Sequence, residues 1–146
     1  MSQNSILLEK SLHFSVRIVK LHRLLHRHED DLSAQLLKHA AAIGSAVSCA
    51  DCALSRRDLA ESLNEALRET AQTEYWLRLL TLTDDVDVRT GASLLSDCTE
   101  LRRLLTAAAS AANYAEFRLK NTPKACFSFF CAQLANIPGT RYNERK

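Results

Sequence analysis

The sequence predicts an all-helical protein, an up-down-up-down bundle of four long helices with a short C-terminal addition. Three observations lead there. Only three Gly (Gly44, Gly91, Gly139) and two Pro (Pro123, Pro138) punctuate 146 residues, too few to turn the corners of a many-stranded sandwich or barrel. Apolar residues recur at three and four positions over long stretches. A 47% hydrophobic and 25% charged composition is that of an ordinary folded chain, long enough for one real core.

The first helix is predicted from about Ser5 to His28, with Ser5 as N-cap and Leu7, Phe14, Ile18, Leu21 and Leu25 on one face. At 1.5 Å per residue this is a rod of about 36 Å, a natural length for a bundle. A second helix spans about Asp31 to Leu54 and turns Leu32, Leu36, Ala40, Ile43, Val47 and Leu54 inward. Gly44 and the surrounding alanines thin one side, so a neighbouring helix can approach closely. Ser55, three residues before Asp58, announces a third helix carrying Leu59, Leu63, Ala66, Thr70, Leu77 and Leu80 inward. That helix ends near the acidic turn from Thr83 to Asp87. After Gly91 a fourth takes up Leu94, Leu101, Leu104, Leu105, Ala108 and Ala112. The domain reading is therefore a bundle over 1–115 and a basic extension over 116–146. In the extension, Thr122 and Pro123 open one short helix with Phe127, Phe130, Cys131 and Leu134 as its apolar stripe.

Charge is uneven along the chain. Residues 1–28 hold five Lys or Arg and one acid, residues 29–115 eight basic and fourteen acidic, and residues 116–146 six basic and two acidic. The ends are basic and the middle acidic. No GxGxxG or GxxxxGK[ST] can be written with glycines so far apart, which excludes nucleotide-dependent enzymes of those types. No run of 18 apolar residues exists, and the start lacks a charged region before an apolar stretch. The expectation is a cytosolic protein without a membrane span. Five cysteines (Cys49, Cys52, Cys98, Cys126, Cys131) are an odd number and read as reduced thiols.

The stretches SLHFSVRIVKLHRLL, QLLKHAAAIGSAVSCAD and SRRDLAESLNEALRETAQTEYWLRLL resemble the four-helix-bundle proteins of the 23S rRNA intervening-sequence family. The likeness covers about residues 11–112. Phe14, Arg17 to Ile18, Leu21, Gln35 to Leu37, Ile43 to Gly44, Val47, Asp58, Glu69, Thr73 and Tyr75 to Leu77 fall in order at the family spacing. It implies a non-catalytic homopentameric ring of bundles. The family is also similar, in shape rather than motif, to the accessory variability determinant of diversity-generating retroelements, a basic pentamer that binds a reverse transcriptase and its template RNA. The chain departs from the family at His39 to Ala42, Ala46 and Cys49, where small or apolar residues replace polar ones.

Four groups of residues are candidate sites. In the first helix Lys10, Arg17, Lys20, Arg23 and Arg27, with His13, form a basic stripe that can neutralise successive phosphates; a solvated face with acids supplied by other helices is the alternative. Arg141, Arg145 and Lys146 extend the basic character, though no aromatic platform of an RNA module is visible. Glu69, Thr73, Tyr75 and Trp76 are read as bundle or intersubunit structure, with Arg17 as the partner of Glu69. His22, His26 and Glu29 have permissive spacing for a metal but read as surface, and Cys49 with Cys52, a CxxC inside an Ala-rich helix, reads as small buried residues. No nucleophile, base and orienter can be assembled, so neither an enzyme nor a cofactor is expected. Two functions stay open: a pentameric scaffold that presents basic helix faces to RNA or to a reverse transcriptase, and a structural or protein-binding oligomer.

Overall fold

A computed structural model describes residues 3–25 and 31–121. Four helices follow one another: α1 (Gln3–Leu25), α2 (Asp31–Asp51), α3 (Arg56–Leu82) and α4 (Val88–Asn121). Residues 1–116 form one compact unit; of the second unit, 117–146, only the end of α4 is described. The extra helix expected after Thr122 lies outside the described residues.

Contacts between helices establish the order around the bundle. Ser15 Oγ donates to the Ala40 carbonyl at 3.2 Å and His22 Nδ1 meets Ser33 Oγ at 2.9 Å, so α2 runs antiparallel to α1. Cys98 Sγ lies 3.6 Å from the Thr70 carbonyl and Asn113 pairs with Asn64 at 3.4 Å, so α4 runs antiparallel to α3. Lys10 reaches Glu100 and Arg17 reaches Asp97, which closes α4 on α1. Each helix thus lies beside its neighbours in an up-down-up-down bundle.

The core is a continuous aliphatic seam. Phe14, Ile18, Leu36, Ile43, Leu77, Leu80, Leu94, Leu101 and Leu105 are the largest of its fully buried side chains. Burying one such side chain stabilises the fold by about 1.5–3 kcal/mol. Thin positions set how closely the helices pack: Ala40, Ala66 and Ala109 are buried between them, and a Cβ added at Gly44 would stand 3.4 Å from Ser15 Oγ on α1. Leu104 and Ala108, expected inside, pack against the seam while partly exposed, as do Leu32 and Leu59.

Helix ends depart from the expected boundaries for local reasons. Gln3 already belongs to α1, so Ser5 lies within that helix and not at its cap. α2 stops at Asp51 rather than Leu54 because its last turn tightens: the Cys52 amide is shared between the Ser48 and Cys49 carbonyls at 3.3 and 3.2 Å, and the Ala53 amide bonds to Ala50 at 3.3 Å. Leu54 consequently falls in the link and is 97% exposed instead of buried. Ser55 caps α3 as expected, its hydroxyl accepting from the Asp58 amide at 3.0 Å, and the Asp58 carboxylate complements the helix dipole. α3 ends where Asp84 takes φ 61°, a left-handed conformation that aspartate tolerates, and the Val86 amide returns to the Leu80 carbonyl at 3.0 Å.

α4 starts at Val88, before Gly91 and not after it, because Asp87 caps it. The Asp87 carboxylate accepts the amides of Arg89 and Thr90, both at 2.9 Å, and the Thr90 hydroxyl at 2.5 Å. Those hydrogen bonds, the hydroxyl's foremost, hold its carboxyl below the usual carboxylate range. Gly91, now inside the helix, faces Thr81: a Cβ there would lie 2.9 Å from Thr81 Cγ2 and nearer still to its hydroxyl. Overpacking of this kind costs about 1–3 kcal/mol against a helix-propensity gain of about 1 kcal/mol. Gly91→Ala is therefore expected to lower the urea midpoint in the parent chain and to lower it much less in a Thr81→Ala background, where only the Cβ of residue 81, 3.2 Å away, still crowds it; an equal loss in both backgrounds contradicts the close approach.

Candidate nucleic-acid interface

The basic stripe of α1 divides in two. Towards the start of the helix its cations turn sideways to α4: Lys10 Nζ lies 2.9 Å from Glu100, and Arg17 binds Asp97 and donates to Ser93 Oγ at 2.9 Å. Lys10 holds its proton more firmly than an ordinary lysine because of its hydrogen bond to Glu100 and that carboxylate's charge. Towards the end of the helix, Lys20 and Arg23 are exposed and form no ion pair among the described residues. Arg27, the last member of the stripe, lies outside the described residues, as do Arg141, Arg145 and Lys146.

The division follows from helical geometry. Positions 10 and 17, seven residues apart, share one flank of α1, and Ser93, Asp97 and Glu100 on α4 come alongside that flank. Positions 20 and 23 point further from the core, past the reach of α4. Periodicity in α1 alone shows which residues share a face, but the neighbouring carboxylates come from some 80 residues away.

Between α1 and α4 runs an open groove lined by Ile6, Leu12, His13 and Val16 on one side and by Asp97 and Glu100 on the other. Leu12 is 64% exposed and Val16 44%, so this flank of α1 presents apolar surface to solvent next to its ion pairs. The sequence reading of α1, centred on its cations, did not single out these apolar positions. Their signal was present as Leu and Val on the side of the helix opposite Phe14 and Ile18.

On α3 the expected partnership is corrected. Glu69 pairs with His39 of α2, Oε2 to Nδ1 at 2.7 Å, whereas Arg17 is engaged by α4. Glu69 projects towards α2, across the bundle from the α1–α4 contact, which places it out of reach of Arg17. Thr73 is fully buried and its hydroxyl donates to the Glu69 carbonyl at 2.8 Å. Tyr75 is 59% exposed, and its ring stands edge-on to Trp76 with centroids 5.4 Å apart. Trp76 Nε1 is buried without a hydrogen-bond partner among the described residues.

The sequence reading passed over Glu74. This carboxylate is nearly buried, and it is neutralised by Arg78 one turn on at 2.5 Å and by Arg102 of α4 at 3.4 Å. A Glu-to-Arg spacing of four was the available signal. Arg103, beside Arg102, is left without an ion-pair partner among the described residues.

The cysteines separate by burial. Cys98 is enclosed in the core on α4, and burial above all pushes its thiol up to about 12. Cys49 and Cys52 are exposed, contrary to the buried reading, because α2 ends beside them. Of the residues considered for a metal, His22 is engaged with Ser33, and His26 and Glu29 lie outside the described residues. Among the described residues no group of three or more His, Cys, Asp or Glu could hold a metal ion, and no helix is long and apolar enough to cross a membrane.

This geometry defines a four-helix-bundle protein whose α1 carries an exposed apolar flank and, among the described residues, a basic end without ion pairs. The chain belongs to the 23S rRNA-intervening sequence protein family, whose model matches residues 3–107. Among solved structures it is similar to a protein of unknown function from the S23 ribosomal protein family from Bacteroides thetaiotaomicron. The two share 36% identity and a TM-score of 0.72 over 75% of this chain and 99% of that chain. A comparison with curated proteins finds no match.

The thiols offer a direct check on the burial pattern. In the native protein iodoacetamide is expected to label Cys49 and Cys52 while Cys98 reacts only after denaturation, read by peptide mass. Labelling of native Cys98 at the rate of Cys49 contradicts its enclosure.

Proposed function

We propose that the protein is a non-enzymatic, homo-oligomeric helical-bundle scaffold that associates with RNA through the free basic end of α1. The observation that carries this reading is the contrast along one stripe. Lys10 and Arg17 are neutralised by α4, whereas Lys20 and Arg23 face solvent without an ion pair among the described residues. Cations left free can release counterions from phosphates, and repeating them around a ring multiplies the field. Arg27 and the basic residues 141, 145 and 146 add charge of the same sign. The family is named for the intervening sequence of 23S rRNA, which supports an RNA partner. A reverse transcriptase of a diversity-generating retroelement is the protein partner that the family likeness suggests, and a pentamer is the stoichiometry it suggests.

A salt titration of RNA binding tests the reading. Lys20→Glu with Arg23→Glu is expected to weaken binding about tenfold or more at low salt and to flatten the log–log slope by about 0.7 per lost contact to single-stranded RNA. Lys10→Gln is expected to leave binding nearly unchanged. Absence of binding at low salt, or equal binding by the charge-reversed variant, rejects the RNA role.

A structural or protein-binding oligomer is the second reading, favoured by a different observation. Leu12 and Val16, with Ile6, leave apolar surface on the outer side of α1, and Tyr75 does so on α3. Contiguous exposed apolar surface favours association with another protein surface. We take the occupant of the α1 flank to be a second copy of the chain. Light scattering at micromolar concentration is expected to give a multiple of the subunit mass for the parent and a lower mass for Leu12→Asp with Val16→Asp. A single-subunit mass for the parent overturns the oligomer.

A further inference from the structure

We infer that Cys49 and Cys52 form a dithiol modification site at the end of α2, closing to an intrahelical disulfide by exchange with a small-molecule disulfide. The inference is independent of the RNA and oligomer readings. Both thiols are exposed and lie where the last turn of α2 tightens. The Cys52 amide is shared between the Ser48 and Cys49 carbonyls at 3.3 and 3.2 Å, so the turn carries an i to i+3 hydrogen bond of the 3₁₀ type beside the α-helical one. Side chains three apart share one face of such a turn, and a rise between about 1.5 and 2 Å per residue keeps their α carbons about 5–6 Å apart. Disulfides bridge α carbons roughly 4.4–6.8 Å apart, so the pair is already in range.

The position is also permissive of the small adjustment that bond formation requires. Cys52 lies one residue beyond α2, in the link that ends at the α3 cap Ser55, so its backbone can shift without disturbing the helix core. Cys49 borders the α2–α3 groove beside Ser45 and Ala46, with solvent on its open side. Cys98 cannot compete, since it is enclosed and directed at the Thr70 carbonyl. The loop closed by the bond is too short to add much to stability, because the gain in the unfolded state rises with loop length. The bond is therefore a reversible modification and not a structural staple.

The chemistry balances in two exchanges. One cysteine, as thiolate, attacks a sulfur of the small disulfide, forming a mixed disulfide and expelling one thiolate, which takes up a proton. The second cysteine then loses its proton and attacks the protein sulfur of the mixed disulfide, forming the Cys49–Cys52 bond and expelling the second small thiol. Two protein thiols are oxidised and the disulfide is reduced to two thiols.

Peptide mapping of the full chain tests the assignment. Reduced native protein is treated with oxidised glutathione, quenched with iodoacetamide and cut with trypsin. Cleavage after Lys38 and Arg56 releases residues 39–56, which contain Cys49 and Cys52 and no other cysteine. The expected product lacks two hydrogens and carries no alkyl group, and prior reduction converts it to the doubly alkylated form. A Cys52→Ser chain is expected to stop at the mixed disulfide of Cys49 with glutathione. Two separate glutathione adducts on residues 39–56, two alkyl groups after oxidant treatment, or a bond from either cysteine to Cys126 or Cys131 overturns the inference.

Discussion

Burial of one continuous aliphatic seam, shared by four antiparallel helices, is the constraint on which everything else in this molecule depends. Phe14, Ile18, Leu36, Ile43, Leu77, Leu80, Leu94 and Leu101 leave water together, and none of the helices could hide its stripe alone. Helical stability in such a chain comes mostly from packing an amphipathic face rather than from propensity. Once the seam closes, the rotation of every helix about its own axis is set. Which polar residues then meet across helices, and which are left facing solvent, follows from those rotations.

The polar contacts between helices are consequences of that closure and act mainly on specificity. Half-exposed pairs such as Arg17 with Asp97 are screened by solvent and add little net stability. They orient α1 against α4 instead. Glu74 is a different case, since it is nearly buried and has two arginines from different helices to offset its charge. Removing one partner of such a group leaves a desolvated charge, which is why nearly buried carboxylates occur with their cations close by. Through Arg102, Glu74 also links the third helix to the fourth.

The outer face of α1 arises from the same geometry by subtraction. The spacing of the cations suggests a single strip, yet α4 takes Lys10 and Arg17 and leaves Lys20 and Arg23 without an ion pair among the described residues. The apolar residues Leu12 and Val16 are exposed, so among the described residues the outer side of α1 combines cations without ion pairs and apolar surface. A charged end and an apolar flank on one helix let the two proposed roles coexist, with assembly along the flank and phosphate contact at the end.

The four helices, most of the core and the family were legible in the sequence, because periodicity, Gly and Pro scarcity and the Ser55 cap are local signals. Phe14 and Leu77 could hardly fall elsewhere than inside once their helices were assigned. The sequence also identified the stripe of like charges and the CxxC spacing. Tertiary structure alone decided that His39 and not Arg17 meets Glu69, that Arg17 is spoken for by Asp97, and that Glu74 bridges two helices. It decided as well that Cys49, Cys52 and Leu54 face solvent where α2 stops at Asp51. The physical reason is range: helix periodicity relates residues within a few turns, whereas ion pairs and exposure depend on which turn of a distant helix packs alongside.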